Sequence, residues 1–434
     1  MIVRKFIQWS KGASAVARAH GVAALARAYL YSEMTIGERR EAESALYALL
    51  DDPSPLPRRA MADAFAGAPD APPAVIQGLA RDQSEISTLV LTRSPLLTDA
   101  DLIDCAVIGD SAAQAAIALR ADLSPAVCGS LAEIGAREAV ITLAVNDSAN
   151  IPGFALRRMV ERFGDDGEVR EALLGRAWLP ASARAALADA AARALSDFVV
   201  SRQWISPARG ERIARDSRDR ATMIIAAGCA CYSEETAALA TYLRAEGQLT
   251  PGVALRALLC GQSGLFQATL AELTGLSARR IAGMARQPWS EAFAAVYARA
   301  GFPDDLLLAF RSALAALARI KPDGEARDGA LRLPLIQAVL ADCAQGSGQG
   351  TGQGAGTADK AALGNVVALL RRFELDAARD KGRRDVARIQ AEATGATDMP
   401  FALPATLTPR VEPPSEDTGL VVDLEALERE LVAA

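Results

Sequence analysis

Five similar segments follow one another between residues 52 and 195, and this repeat constrains the fold more than any other feature. The segments begin near Asp52, Asp82, Asp110, Ala136 and Asp166. Each contains a short stretch of helical character, a break, and a second such stretch. A pair of short helices cannot bury its own apolar face, so successive pairs must stack on one another. The pattern therefore predicts an α-solenoid of short helical hairpins.

Helix-breaking residues separate the two helices of each predicted hairpin. The first helices are predicted from the sequences PLPRRAMADAFA, SEISTLVLTR, SAAQAAIALR, REAVITLAVN and GEVREALLGR. The second helices are predicted to begin at Pro72-Pro73, Thr98, Ser124-Pro125, Pro152 and Pro180. Proline suits the first turn of a helix because its missing N–H would have no intrahelical partner there. Serine and threonine cap the free N–H groups of that turn.

Composition agrees with an all-α fold class. Hydrophobic residues make up 51% of the chain and aromatic residues only 5%, so small aliphatic side chains dominate. Alanine loses no side-chain entropy when it enters a helix, which favours helix along most of the chain. We predict an N-terminal helical cap at 1–50, the repeats at 51–196, and a further helical region at 197–345.

The C-terminal part of the chain differs in composition. The sequence GSGQGTGQGAGT predicts a Gly-rich flexible linker at 346–357, followed by a helix at 358–394. Residues 395–434 are predicted to form an acidic, largely disordered tail that ends in an amphipathic helix. In that helix Leu424, Leu427 and Leu431 form one apolar stripe, which makes them candidate partner-binding residues.

Charge and cysteine usage limit the possible functions. The net charge is −6, and the predicted tail accounts for all of it with eight acids and two arginines. The rest of the chain is balanced, which differs from the basic footprint usual in nucleic-acid-binding proteins. The six cysteines have irregular spacing, which favours reduced thiols and a cytoplasmic location. No apolar run reaches the roughly 18 residues of a transmembrane segment.

Motifs for catalysis or for metal and cofactor binding are not recognisable in the sequence. His20 is the only histidine, so a histidine-based triad or a multi-histidine metal site would depend on it. Cys229 and Cys231 lie two residues apart, and on a helix this spacing points the thiols to different sides. The glycines of 346–356 follow no predicted strand and precede no Lys-Ser or Lys-Thr pair, unlike a phosphate-binding loop. We therefore predict no catalytic residue, no cofactor and no metal.

Four arginines recur at every third position and form a candidate partner-binding stripe. They are Arg209, Arg212, Arg215 and Arg218. Such a stripe could bind phosphates or an acidic peptide. The alternative is a solvated face in which Glu211, Asp216 and Asp219 pair with the arginines. Because these acids lie beside the arginines in the sequence, the salt-bridged face is the favoured interpretation.

The sequence LAELTGLSARRIAGMAR at 270–286 is typical of a helix-turn-helix. Ala271, Gly275 and Ile281 stand where two helices that cross closely need a small residue, a turn and a buried anchor. Its second helix offers Arg279, Arg280 and Arg286 as candidate nucleic-acid contacts. That helix has no Asn, Gln or Ser-Thr pattern that could read base edges. A structural corner between stacked helices is the favoured interpretation.

Several stretches of the chain resemble one known family. They are VAALARAYLYSEMTIGERREAESALYALLDDPSPLPRRAMADAFAGAPDAPP, VLTRSPLLTDADLIDC, LRRMVERFGDD, LTPGVALRALLCG, and ELTGLSARRIAGMA with AFAAVYARAGFPDDLLLAFRSAL. They are similar to an alphaproteobacterial family known as domain of unknown function 2336, over about residues 20–320. The resemblance implies an all-helical, HEAT-like fold, and it implies no catalytic residues.

Two functional hypotheses follow from the sequence. The first is a non-enzymatic cytoplasmic scaffold or adaptor, with a possible regulatory role, that binds a protein partner through a helical-repeat groove. The alternative is a nucleic-acid-binding protein that uses the 270–286 corner or a basic concave face. One shared, unpaired basic surface would favour nucleic acid, whereas scattered and paired arginines would favour the scaffold.

Overall fold

The computed structural model describes residues 2–229, 233–320, 329–349 and 357–395. Within these ranges the chain forms 22 α-helices and one short 3₁₀ helix, and no strand is present. The predicted all-α fold class is therefore confirmed. No helix in the same ranges combines the length and the hydropathy that a membrane span requires.

Three helices form the N-terminal cap. They are α1 (Ile2–Ser10), α2 (Ala15–Tyr31) and α3 (Ile36–Leu50). All three lie within residues 1–50, the region predicted as a helical cap. Thr35 caps α3: its side chain accepts a hydrogen bond from the Glu38 N–H, and the Glu38 carboxylate accepts one from the Thr35 N–H.

Ten helices follow in the region of the five predicted hairpins. They are α4 (Pro55–Phe65), α5 (Pro73–Ala80), α6 (Ser84–Arg93), α7 (Asp99–Ile108), α8 (Ser111–Ala118), α9 (Pro125–Ile134), α10 (Arg137–Val145), α11 (Gly153–Phe163), α12 (Gly167–Leu174) and α13 (Ala181–Ser201). Each second helix begins at its predicted breaker, and Ser124 caps α9 by accepting from the Val127 N–H. The ten helices lie at the positions that the sequence predicts.

Helices pack against their second neighbours along the chain. The first helices of successive hairpins contact one another from α4 through α6, α8 and α10 to α12. The second helices do the same from α7 through α9 and α11 to α13. Two parallel rows of helices result, which is the packing expected when hairpins stack in sequence.

Aspartates at the start of the first helices join each hairpin to the one before it. Each carboxylate accepts a hydrogen bond from a side chain in the preceding first helix; the pairs are Arg18–Asp52, Arg58–Asp82, Ser84–Asp110 and Arg137–Asp166. These bonds hold the pKa of Asp52, Asp110 and Asp166 below its ordinary value. The fourth hairpin begins with Ala136, whose side chain has no hydrogen-bond acceptor. There the Gln114 side-chain oxygen accepts a hydrogen bond from the Ala136 N–H instead.

Side chains at the ends of helices cap the carbonyl groups of the preceding hairpin. Arg120 donates to the carbonyl oxygens of Leu91 and Ser94 at 2.7 Å each. Asn146 then donates to the carbonyls of Ala118 and Arg120. The last carbonyl groups of a helix have no intrahelical partner, so these bonds satisfy groups that stacking would otherwise bury unpaired.

The same capping continues in the last repeat and in the second row of helices. Arg176 donates to the carbonyls of Ala144, Asn146 and Ala149. In the second row, Arg162 donates to the carbonyls of Ala132 and Gly135. Burial lowers the pKa of Arg120 and Arg162 below the ordinary value for arginine. Each capping side chain joins two neighbouring hairpins.

Eight α-helices and the 3₁₀ helix continue the fold beyond the repeats. They are α14 (Pro207–Gly228), α15 (Glu234–Ala245), α16 (Pro251–Leu259), α17 (Ser263–Thr274), α18 (Ala278–Ala285), α19 (Glu291–Arg299), the 3₁₀ helix Asp304–Leu306, α20 (Leu307–Arg319) and α21 (Leu333–Gln349). Contacts between second neighbours extend from α13 through α15 and α17 to α19. The further helical region predicted for 197–345 therefore continues one row of the repeats.

The last helix is α22 (Thr357–Gly395). The linker predicted at 346–357 overlaps α21, which continues to Gln349, and residues 350–356 lie outside the described residues. The described residues up to Arg379 form one compact unit with a common hydrophobic core, and a second unit begins at Asp380. In the second unit Arg383 pairs with Asp380 and Arg388 with Asp385. The tail predicted at 395–434 lies outside the described residues except for Gly395, which ends α22.

The capping bonds between hairpins predict a loss of stability when their donors are removed. Arg176→Met keeps most of the apolar stem and deletes the bonds to four carbonyl oxygens. Because hydrogen bonds from charged groups contribute about 1.5–3 kcal/mol, we expect a comparable fall in the free energy of unfolding, measured by urea denaturation. Arg157→Met is the matched control, since Arg157 is exposed on the neighbouring hairpin. Equal midpoints for the two variants would contradict this role.

Candidate functional site

The long hairpin of α13 and α14 carries the candidate site. The two helices run antiparallel, and Arg218 of α14 pairs with the buried carboxylate of Asp189 in α13 at 2.8 Å. Near the other end Gly210 faces α13 so closely that an added Cβ would lie 2.7 Å from Val200 and 2.8 Å from Ser196. Glycine at this position therefore allows the two helices to approach, which sets the position of the first turns of α14.

The turn between the two helices has an unusual backbone. Gln203 has a φ of +59°, in the left-handed region that glycine normally occupies at the end of a helix. The Trp204 N–H then donates to the Val199 carbonyl, and the Gln203 N–H donates to the Val200 carbonyl. These two bonds close the end of α13 and direct the chain back over it. As a result, the Trp204 ring packs edge-to-face on Phe198, with centroids 5.9 Å apart.

Large apolar side chains remain exposed around this turn. We call the set the α13–α14 patch; it comprises Leu195, Phe198, Trp204 and Ile213 together with Arg209 and Arg212. Trp204 is 68% exposed and Leu195 is 62% exposed, although both are large apolar side chains. The Arg202 guanidinium lies over the Phe198 ring at 5.4 Å, so a cation covers part of the apolar surface. The patch is therefore both aromatic and basic.

A depression of about 350 Å³ opens on α14 within the patch. Its lining residues are Arg209, Arg212, Ile213 and Asp216. Arg209 and Arg212 are exposed and form no ion pair with any residue that the structure describes. Asp216 is bound from the other side by Arg372 of α22, whose Nη2 atom lies 2.6 Å from the Asp216 Oδ1 atom. The depression therefore presents two free cations beside an apolar side chain.

The structure separates the four arginines of the predicted stripe. Only Arg209 and Arg212 line the depression. Arg215 is exposed elsewhere on α14, and Arg218 is half-buried in its ion pair with Asp189. The physical reason is that a spacing of three residues turns by 300° rather than by a full 360°, so each step moves the side chain about 60° around the helix. The pairings predicted within α14 are absent from the described ion pairs, and Asp216 and Asp189 take partners on other helices.

The 270–286 segment forms the predicted tight corner. α17 ends at Thr274, Gly275 takes the left-handed conformation with φ +70°, and α18 begins at Ala278. Ile281 is buried as the anchor of α18, and α18 packs against both α17 and α19. The candidate nucleic-acid contacts Arg279, Arg280 and Arg286 are all exposed. None of these three arginines has an ion pair among the residues described.

The two groups of arginines lie on separate helices. α14 packs mainly against α13 and α16, whereas α18 packs against α17 and α19. A groove of about 430 Å³ adjoins the corner and is lined largely by small residues of α15 and α17, among them Ala237, Gly264 and Ala268. Its acid, Glu272, is already paired with Arg244. With small side chains and an acid that is already paired, this groove offers few polar or charged groups that could select a ligand.

Other predicted candidates fall outside these surfaces. His20 is exposed on α2. Cys229 follows α14, while Cys231 lies outside the described residues. The candidate partner-binding leucines of the tail, Leu424, Leu427 and Leu431, also lie outside the described residues.

Sequence reasoning missed the apolar half of the α13–α14 patch. The sequence predicts only a further helical region at 197–345, with no turn at Gln203. The sequence did contain a signal for this surface. Leu195 and Phe198 are three residues apart and lie outside the alanine-rich face that α13 buries. The pairing of Asp216 with Arg372 was also missed, because the two residues are 156 positions apart.

Comparisons with known proteins identify one family. A family model described as an uncharacterised protein conserved in bacteria, DUF2336, matches residues 86–347. No curated protein and no solved structure matches the chain. The matched region contains the α13–α14 patch and the α17–α18 corner, and it ends before α22.

The left-handed turn predicts a gain of stability at Gln203. An L-residue in this conformation costs roughly 1–2 kcal/mol relative to glycine, and part of this gain is offset by the greater freedom of glycine in the unfolded chain. We therefore expect Gln203→Gly to raise the free energy of unfolding by about 0.5–1 kcal/mol, measured by urea denaturation. Gln203→Val should lower it, because branched side chains fit this region worst. A destabilised Gln203→Gly variant would show that the turn differs from the one described.

Proposed function

The chain belongs to the bacterial family DUF2336, and we propose that it is a non-enzymatic scaffold that binds a protein partner through its helical repeats. The contact surface in this proposal is the α13–α14 patch. The stacked hairpins serve as a HEAT-like frame that holds this patch in place. The proposal locates the protein in the cytoplasm, where buried thiols such as Cys105 and Cys128 stay reduced.

The observation that carries the proposal is the exposure of Trp204 at the turn that leads into α14, whose first turns carry the exposed Arg209 and Arg212. Tryptophan and arginine are the residues that most often dominate the binding energy of protein interfaces. An exposed indole is costly in water unless a partner covers it, and here it lies against Phe198 on a surface that already has fixed geometry. The turn at Gln203 holds that geometry before any partner arrives, which lowers the ordering cost of binding.

The charges of the patch indicate the chemistry of the partner. Arg209 and Arg212 line the depression together with Ile213, so a bound segment would place acidic groups beside an apolar side chain. An amphipathic helix with acidic residues beside an apolar stripe fits this description. Arginine also forms paired hydrogen bonds with carboxylates, which favours acidic side chains over neutral polar ones.

Trp204→Ala tests the proposal directly. We expect this variant to lose at least about tenfold in partner affinity, because a central aromatic contact commonly contributes 2 kcal/mol or more. Arg209→Ala combined with Arg212→Ala should also weaken binding, and more so at low salt. The measurement is quantitative mass spectrometry of proteins captured from the native cell by the full chain, followed by titration with the recovered partner.

Trp178→Ala is the matched control for the tryptophan variant. Trp178 is 62% exposed, close to the exposure of Trp204, but it lies before α13 and outside the patch. The control should retain every protein that the wild-type chain captures. The proposal fails if the Trp204 and arginine variants capture the same proteins in the same amounts as the control.

Nucleic-acid binding is the alternative, and one observation favours it. The exposed arginines of α18 are accompanied by no acid anywhere in residues 273–290. In known DNA-binding proteins with a helix-turn-helix, the second helix makes the phosphate and base contacts, and positive charge there favours them. α18 is short, however, and it offers no side chains suited to reading base edges beyond its arginines.

A salt titration with duplex DNA separates the alternative from the main proposal. If α18 contacts DNA, binding should weaken steeply with salt, and Arg279→Ala with Arg280→Ala should reduce the slope of log K against log salt by about one for each lost phosphate contact. Fluorescence anisotropy at low salt provides the measurement. No binding by the wild-type chain, or a slope that these substitutions do not change, excludes the corner as a DNA contact.

A further inference from the structure

The first half of α22 packs on the body of the protein although it lies beyond the matched family region. Its buried residues Val366, Leu370, Phe373 and Ala377 recur at helical spacing and belong to the common core. The Phe373 ring also lies 5.5 Å from the buried Arg256 guanidinium of α16. This part of α22 is therefore fixed in position by apolar contacts.

Two ion pairs connect this half of α22 to α14. Arg372 binds Asp216, and Asp376 lies 3.5 Å from Arg220. The partners are four residues apart on both helices, so the two pairs stand one helical turn from each other. One of the paired residues, Asp216, is the acid that lines the depression of the α13–α14 patch.

The position of Asp216 on α14 determines what it would do without Arg372. Arg212 precedes it by four residues, and residues with this spacing are neighbours on the surface of a helix. Both side chains line the same depression. In the structure the Arg372 Nη2 atom binds both carboxylate oxygens of Asp216, and no ion pair joins Asp216 to Arg212 among the described residues.

We propose that Arg372 sets the charge of the α13–α14 patch by holding Asp216 away from Arg212. With α22 in place, Arg209 and Arg212 are both available to an acidic partner. Without the Arg372 side chain, Asp216 pairs with Arg212 and cancels half of the positive charge of the depression. Arg372 is then a positioning residue that regulates the site without contacting the partner. This inference rests on the proposed function of the patch.

The test measures binding of a defined peptide to the full chain. The probe is a fluorescein-labelled synthetic helix with leucines at positions i, i+3 and i+7 and glutamates beside them. We expect Arg372→Ala to weaken its binding about threefold, the effect of one surface ion pair, and the difference should shrink in high salt. Arg371→Ala is the matched control, because Arg371 is exposed on the neighbouring position of α22 and should bind as the wild type does.

Asp216→Asn separates the effect on charge from an effect on the docking of α22. This variant breaks the same ion pair, but it removes the acid that would neutralise Arg212. We expect Asp216→Asn, alone and combined with Arg372→Ala, to bind at least as tightly as the wild type. The inference is overturned if these variants bind as weakly as Arg372→Ala, or if Arg372→Ala binds as well as Arg371→Ala.

A second measurement does not depend on the peptide. The side-chain Nε–H signal of Arg212, assigned by its loss in Arg212→Ala, should shift in Arg372→Ala but not in the double variant with Asp216→Asn. An unchanged signal in Arg372→Ala overturns the inference. If this signal shifts while Trp204→Ala and the Arg209 and Arg212 substitutions leave peptide binding unchanged, the charge coupling stands and the proposed function of the patch fails.

Discussion

Hydrogen bonds between the ends of successive helices are the interaction on which the rest of the fold depends. Helices of about two turns leave a large share of their backbone groups unpaired, because four N–H and four C=O groups at the ends have no intrahelical partner. Stacking such helices would bury these groups at a cost that the small alanine-rich core could not offset. Asp110 caps the N–H groups at the start of its own helix α8, and Asn146 of the next hairpin caps the Ala118 carbonyl at the other end. A hairpin therefore depends on its neighbours for polar as well as apolar contacts.

The same dependence explains which parts of the fold could be predicted from the sequence. Helix starts were predictable because prolines such as Pro152 and caps such as Thr98 act on the backbone within one turn of themselves. The capping arginines were not predictable, since Arg120 and its carbonyl partners are more than 25 residues apart. At Ala136 the expected aspartate is missing, and only the structure shows that Gln114 replaces it.

The candidate site was partly predictable for a related reason. The sequence shows that arginines recur along α14, but not which of them meets an acid from another helix. Arg218 is neutralised by Asp189 of α13, whereas Arg209 remains free because no described acid outside α14 reaches it. The apolar half of the patch depends on a turn at Gln203 in a conformation that glutamine rarely adopts, so residue preferences argue against predicting it.

The location of the patch follows from where the short repeats end. From α4 to α12 each helix is short, and capping side chains such as Arg176 of the next hairpin bind carbonyl groups at helix ends. α13 and α14 are about twice as long, so they extend past the helices that flank them, and Trp204 and Arg209 lie at the extended end. Among the residues that the structure describes, no neighbouring hairpin donates a hydrogen bond to that end, and the αL turn closes α13 with backbone bonds of its own. Because backbone hydrogen bonds within the turn pair the carbonyl groups at the end of α13, the side chains there are free to bind another molecule. At the ends of shorter helices, side chains such as Arg176 are already bonded to a neighbouring hairpin.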